Sequence, residues 1–170
     1  MQLIEVTDKQ TAKDFLTVNV LLNKNNPAYI RPLDKEVSDT FDPAKNKNYK
    51  YGETKRWIAE DDNGELIGRI AAFTNSKYVN NGTEFKTGGI GFFDCINDQS
   101  VANVLFDIAK SWLQNKGMES IDGPINSGDL AKWWGLMVDG FYSEPLDGLS
   151  VNPSYYDVVF TYYGLRYFVL

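Results

Sequence analysis

The apolar period of the chain changes at Asn97–Asp98, and that change constrains the fold more than any other feature. Before it, "TGGIGFFDCI" reads as a strand. After it, Val101, Leu105, Ile108 and Trp112 line one stripe, with Ala102, Ala109 and Leu113 beside it. That spacing predicts an amphipathic helix capped by Asn97 or Asp98 and stopped by Lys116-Gly117. "MESIDGPIN" then reads as a short strand. A strand, a crossover helix and a strand make a parallel pair, so the sheet cannot be purely antiparallel.

The segments upstream are of the other kind. "QLIEVT" reads as a strand, followed by a helix with Phe15, Val18 and Leu22 near helical spacing and Thr7 or Asp8 as cap. "KRWIAED" and "ELIGRIAAF" flank Asp61-Asp62-Asn63-Gly64, a hairpin signal, and Asn80-Asn81-Gly82 marks a second turn. Residues 25–50 read as a long loop with one short helix near Asp34 to Thr40. "PSYYDVVFTYYG" predicts a last helix with Tyr156, Val159, Phe160 and Tyr163 on one face, ahead of a final strand, "LRYFVL". The expectation is one α+β domain over residues 1–170, with a mixed, mostly antiparallel sheet flanked by helices.

Composition limits the chemistry. The 170 residues hold no histidine and one cysteine, Cys95, which excludes Ser-His and Cys-His catalysis, internal disulfides and His-ligated metal sites. No metal site is expected. Seventeen basic against 23 acidic residues give a net charge of −6 with no basic stripe, which argues against nucleic acid as a partner. The first residues carry charges at Glu5, Asp8, Lys9, Lys13 and Asp14 and do not read as a signal peptide. No run reaches the roughly 20 apolar residues of a membrane span. A cytoplasmic protein with no membrane partner is the expectation.

Gly88, Gly89 and Gly91 lie within or before a strand, short of the turn where a phosphate could meet free amides. They are expected to let the strand bulge or another backbone approach. The turn "CINDQSVA" is the better place for an anion, through the first-turn N–H groups of Gln99 to Ala102, although Asp98 would repel it and no basic residue is near. Arg56 and Arg69 are expected to pair with acids at the surface.

This order of elements, with "GRIAAFTN", "GGIGFFDCINDQSVANVLFDIAKSWLQNKGM", "GPINSGDLAKWWGLMVDGFYSEP" and "NPSYYDVV", resembles the Gcn5-related N-acetyltransferase (GNAT) superfamily over residues 55–168. The resemblance implies a GNAT-like fold, acetyl-CoA or another acyl-CoA as cofactor, and a small-molecule or peptide amine as acceptor. The family's pyrophosphate turn falls on Asn97, Asp98, Gln99, Ser100, Val101 and Ala102, with Ala102 matching, Ser100 in place of glycine and Asn97 in place of Gln or Arg. An adjacent strand edge would hold the pantetheine arm. Where many members carry a thiolate-protonating tyrosine this chain has Phe160, so Tyr156 or Tyr163 on the same helix face is expected to serve. Asp94 is the expected general base. Cys95, alternating away from Asp94, is expected to be buried and inert. Trp133-Trp134 could wall an acyl pocket, and Asn126, Ser127, Gly128 and Asp129 form a polar turn near the expected substrate entrance. The chain ends after "RYFVL", one strand short of the usual fold on this reading, and an exposed last strand could pair two copies into a homodimer. The departures at Asn97, Ser100 and Phe160 favour an alternative, an inactive GNAT-like module that binds a ligand or a protein.

Overall fold

The computed structural model describes residues 1–78, 84–127, 135–141 and 151–165. In chain order they form β1 (Gln2–Glu5), α1 (Lys9–Asn23), α2 (Asp34–Thr40), a 3₁₀ turn (Lys47–Lys50), β2 (Thr54–Glu60), β3 (Leu66–Phe73), β4 (Thr87–Cys95), α3 (Gln99–Asn115), β5 (Ser120–Asp122) and α4 (Tyr155–Tyr163). The five strands lie side by side in sequence order. The first four pair antiparallel, and β5 joins β4 parallel, with α3 as the crossover. The α+β mixed sheet is as the sequence predicts. The expected Asn80–Gly82 turn, Trp133, Trp134, Gly128, Asp129 and most of the last strand lie outside the described residues.

Local chemistry sets the ends of the elements. Asp8 caps α1 by accepting from the Thr11 amide, and the Thr11 hydroxyl accepts from the Asp8 amide in return. Asp98 caps α3, and Gly117 beyond its end takes φ +77°. Gly164 closes α4 in the left-handed region.

Each face of the sheet carries its own core. On one, Leu105, Phe106, Ala109 and Leu113 of α3 pack with Tyr156, Val159 and Phe160 of α4 over Ile70, Ile90 and Phe93. Phe160 is therefore a core ring, edge-on to Phe93 and Phe106 at 5.1 and 4.9 Å. Phe15 and Val18 of α1 lie with Val37, Phe41 and Ile58 on the other face. There Arg56 does not meet an acid at the surface as expected; its guanidinium stacks 4.2 Å from the Phe41 ring.

A bulge in β4 decides what faces α1. Arg69 pairs with Asp94 but Ala71 pairs with Gly91, so Phe92 and Phe93 stand opposite Ile70 alone. Phe92 takes φ +49°, and its ring packs 4.9 Å from Phe41 on the α1 side. A continuous alternation from Ile90 would point Asp94 into the α3 core. The extra residue turns Asp94 towards α1 instead and leaves Cys95 on the α3 side.

Gly91 is where a second backbone approaches. A Cβ there would lie 1.7 Å from the Ile125 carbonyl oxygen, and Ile125 N–H donates to the Ile90 carbonyl at 2.8 Å. This is the last main-chain link between β4 and the segment after β5 among the described residues. Beyond it, among the described residues, β4 continues to Cys95 with a strand partner on its β3 side alone.

Candidate active site

The freed edge of β4 is met by α4. Tyr155 donates its hydroxyl hydrogen to the Cys95 carbonyl at 2.7 Å, and the Cys95 N–H donates to the Tyr156 hydroxyl oxygen at 2.9 Å. The two neighbouring tyrosines thus occupy both main-chain groups of one residue. Burial pushes the Tyr155 hydroxyl up to about 12 and that of Tyr156 well above its ordinary value, with the Asp94 carboxylate adding to both. Both phenols stay protonated at neutral pH.

Behind this edge lies a buried polar cluster. Asp94, 4% exposed, accepts from Arg69 Nε at 2.7 Å, Asn19 Nδ2 at 2.9 Å and Asn23 Nδ2 at 2.8 Å, and the Tyr156 hydroxyl approaches its Oδ1 at 3.4 Å. Tyr29 donates to Asn19 Oδ1 at 2.7 Å, which ties the α1–α2 connection into the same cluster. Arg69 also donates to the Phe15 carbonyl at 2.9 Å. One expectation is corrected here: Arg69 is buried in an ion pair rather than at the surface. Asp94, the expected base, has donors around both of its oxygens. Its carboxylate is held in place and in turn holds α1, β3 and β4 together.

Tyr163 stands apart from this cluster. Its hydroxyl donates to Asp107 Oδ1 on α3 at 2.6 Å and its ring lies 4.7 Å from Phe106. The structure brings Asp94 and Tyr156 together and leaves Tyr163 outside. Cys95 is buried, and burial pushes its thiol up to about 12, so it is the inert residue expected.

The turn into α3 is closed by its own cap. Asp98 Oδ1 accepts from the Ser100 N–H at 2.8 Å, the Ser100 hydroxyl at 2.6 Å and the Val101 N–H at 3.4 Å. The Ser100 hydroxyl and amide hold this carboxyl below its usual range, so it is charged at neutral pH. Gln99 turns its side chain to the Val159 carbonyl at 3.1 Å and to Asn103, joining α3 to α4. Ala102 is fully buried and Asn97 exposed. The nearest basic residues in sequence are Lys86 and Lys110. Among the described residues this turn meets a diphosphate with a carboxylate and with the Ser100 and Val101 donors engaged, whereas the neutral main-chain edge at Cys95 suits the amides of a pantetheine arm.

Reasoning along the sequence missed Asn19, Asn23, Tyr29 and Tyr155. A signal for two of them existed. Asn19 and Asn23 are four residues apart beside Phe15 and Val18 on a helix face that is otherwise apolar, and buried amides need partners. A recess of about 260 Å³ opens on the α1 side where β4 and β5 still pair, lined by Asn48, Lys77, Tyr78, Gly89, Asn126 and Ser127 among others. Among the described residues no group of three or more Cys, Asp and Glu could hold a metal ion, and no helix is long and apolar enough to cross a membrane.

No protein-family model matches the chain. A curated relative, the bacterial ceramide synthase of Caulobacter vibrioides, is 30% identical over 156 residues, which cover 91% of this chain and 40% of the relative. The chain therefore aligns with less than half the length of that relative. Solved structures resemble it along nearly its whole length. The aminoglycoside N-acetyltransferase AAC(6')-Iy, in complex with a CoA bisubstrate analogue, superposes with a TM-score of 0.58 at 14% identity, covering 98% of this chain and 92% of the other. Glucosamine-6-phosphate N-acetyltransferase from Arabidopsis thaliana superposes with a TM-score of 0.53 at 10% identity, covering 100% and 95%. On these superpositions the chain has the fold of the Gcn5-related N-acetyltransferases.

Proposed function

We propose that this chain transfers an acyl group from a CoA-type thioester to a primary amine. The observation that carries the reading is the freed edge of β4 at Cys95, faced by two neutral hydroxyls and backed by a fixed ion pair. An acyl thioester lying along that edge supplies a carbonyl activated towards amines. Cys95 N–H and the Tyr156 hydroxyl are then the donors for the carbonyl oxygen or the departing sulfur, where negative charge develops. Before the thioester arrives, Tyr155 occupies the Cys95 carbonyl, which an amide of the incoming arm then takes over.

Overall, a C–N bond forms, the C–S bond breaks, and one proton passes from nitrogen to sulfur. Tyr156 suits a hydrogen-bonding role in that transfer better than outright proton donation. A phenol raised well above 10 is a weaker acid than a thiol of about 8.5. Asp94, saturated by donors, orients Tyr156 and leaves deprotonation of the amine to water.

The acceptor is read from two supports. Ceramide is the amide of a long-chain amino alcohol, so similarity to a ceramide synthase favours an amine with hydroxyls beside it. The recess near Gly89, lined by amides and hydroxyls together with Phe73, Ile125 and the Lys77 side chain, suits the hydroxyls of such an amine. Incubation with palmitoyl-CoA and sphinganine, octadecylamine or glucosamine 6-phosphate, followed by mass spectrometry, tests the reading. An amide product with matching thiol release is expected with sphinganine. No amide with any amine, from folded protein, would leave the inactive binding module as the better account.

A further inference from the structure

The places where a CoA thioester could be gripped are not equivalent in this chain. At the β4 edge the groups already in place are neutral. Tyr155 and Tyr156 hydroxyls bond the Cys95 carbonyl and N–H at 2.7 and 2.9 Å, and amide groups of the same hydrogen-bonding kind can replace them. At the α3 turn the occupant is a carboxylate. Asp98 takes the Ser100 N–H, the Ser100 hydroxyl and the Val101 N–H, so an incoming diphosphate would meet a negative charge and find those donors engaged. Gln99, a further polar side chain of that turn, donates to the Val159 carbonyl, while Asn97 is exposed.

We infer that the acyl donor is selected through its pantetheine arm, with Asp98 excluding any strong grip on the nucleotide diphosphate. This rests on the acyl-transfer reading and deepens it. The ligand class is an acyl-pantetheine thioester, which arrives either on CoA or on an acyl carrier protein. A helix N-terminus that held the diphosphate with two charge-assisted hydrogen bonds would favour CoA over pantetheine by on the order of 100-fold or more. Among the described residues the α3 turn offers CoA no such advantage.

Calorimetric titration of the protein with CoA, pantetheine and adenosine 3',5'-bisphosphate tests it without turnover. CoA and pantetheine binding within about tenfold of each other, and no binding of the bisphosphate, is the expected result. CoA binding about 100-fold tighter than pantetheine, with the bisphosphate competing, would overturn the inference and leave the acyl-transfer reading standing. No binding of either CoA or pantetheine would remove both.

Asp98→Asn supplies the second arm, because asparagine keeps the cap and loses the charge. Tighter CoA binding by about threefold or more, with pantetheine unchanged, is expected. Weaker CoA binding would show that Asp98 supports the nucleotide end and contradict the inference. Donor competition separates the two sources. Palmitoyl carrier protein used as well as or better than palmitoyl-CoA agrees with selection by the arm, and a hundredfold preference for palmitoyl-CoA contradicts it.

Discussion

The hydroxyl of Tyr156 sits 2.9 Å from the Cys95 amide nitrogen, so one side chain of α4 completes the hydrogen bonding of β4 where β5 has left it. Because the same hydroxyl approaches Asp94 Oδ1 at 3.4 Å, the strand edge and the buried ion pair share a member.

Tyr156→Phe removes that hydroxyl and leaves a buried N–H without its acceptor. A stability loss of about 1–3 kcal/mol is expected from urea unfolding. In the proposed reaction kcat should fall by on the order of 100-fold, with a smaller change in KM. Tyr155→Phe leaves the Cys95 carbonyl open to the ligand and should tighten thioester binding, and Tyr163→Phe should alter neither kinetic constant, since among the described residues its hydroxyl bonds Asp107.

Arg69→Met breaks the buried pair and strands the Asp94 carboxylate among amides. Loss of one partner of such a pair costs about 3–5 kcal/mol, which a shift in urea midpoint at unchanged slope would report. Asp94→Asn keeps the shape and removes the charge. If Asp94 orients rather than accepts the proton, the pH dependence of kcat/KM should keep its form in this variant, rising with ionisation of the acceptor amine. Loss of an acidic limb would restore Asp94 as the base.

Alkaline stability has a definite sign. The Cys95 thiol rises from 9.0 to about 12 in the folded chain and the Tyr155 hydroxyl from 10.0 to about 12. Folded pKa values above the unfolded ones mean that both groups favour folding fully below about pH 9. That contribution is lost as the unfolded chain ionises and the folded one does not, so stability should fall between about pH 9 and 12. The urea midpoint measured across that range should decline, and less steeply in Cys95→Ala. At pH 8 the native thiol should resist a thiol-specific reagent that reacts at once in urea.

Gly91→Ala puts a methyl group against the Ile125 carbonyl, a main-chain atom that cannot swing aside. Destabilisation of about 1–3 kcal/mol or more is expected from thermal unfolding, since the β4–β5 contact must open. The variant should also lose acceptor and donor binding together, because the parting of the strands shifts with it.

How much of this was written locally follows from the kind of signal. The α3 stripe, the Asp61–Gly64 turn, the short helix at Asp34–Thr40 and the Gly164 stop are short-range patterns, and all of them stand in the structure. The burial of Cys95 and the close approach at Gly91 also follow from neighbours in sequence. The polar cluster does not. Asn19, Asn23 and Arg69 reach Asp94 across 75, 71 and 25 positions, and no periodicity encodes those meetings. The bulge at Phe92–Phe93 reverses the face that Asp94 occupies, which a two-residue alternation cannot foresee. For the same reason the donors gathered around Asp94 are not legible in the sequence.

The central claim is that an acyl thioester lies along the β4 edge at Cys95. Amide chemical shifts of the ¹⁵N-labelled protein, followed during titration with a non-hydrolysable palmitoyl-CoA thioether, test it most directly. The account predicts that the Cys95 amide and those of Tyr155 and Tyr156 move most, as the tyrosine hydroxyls give way to the ligand. Saturable binding that leaves Cys95 unmoved and shifts residues elsewhere would contradict it.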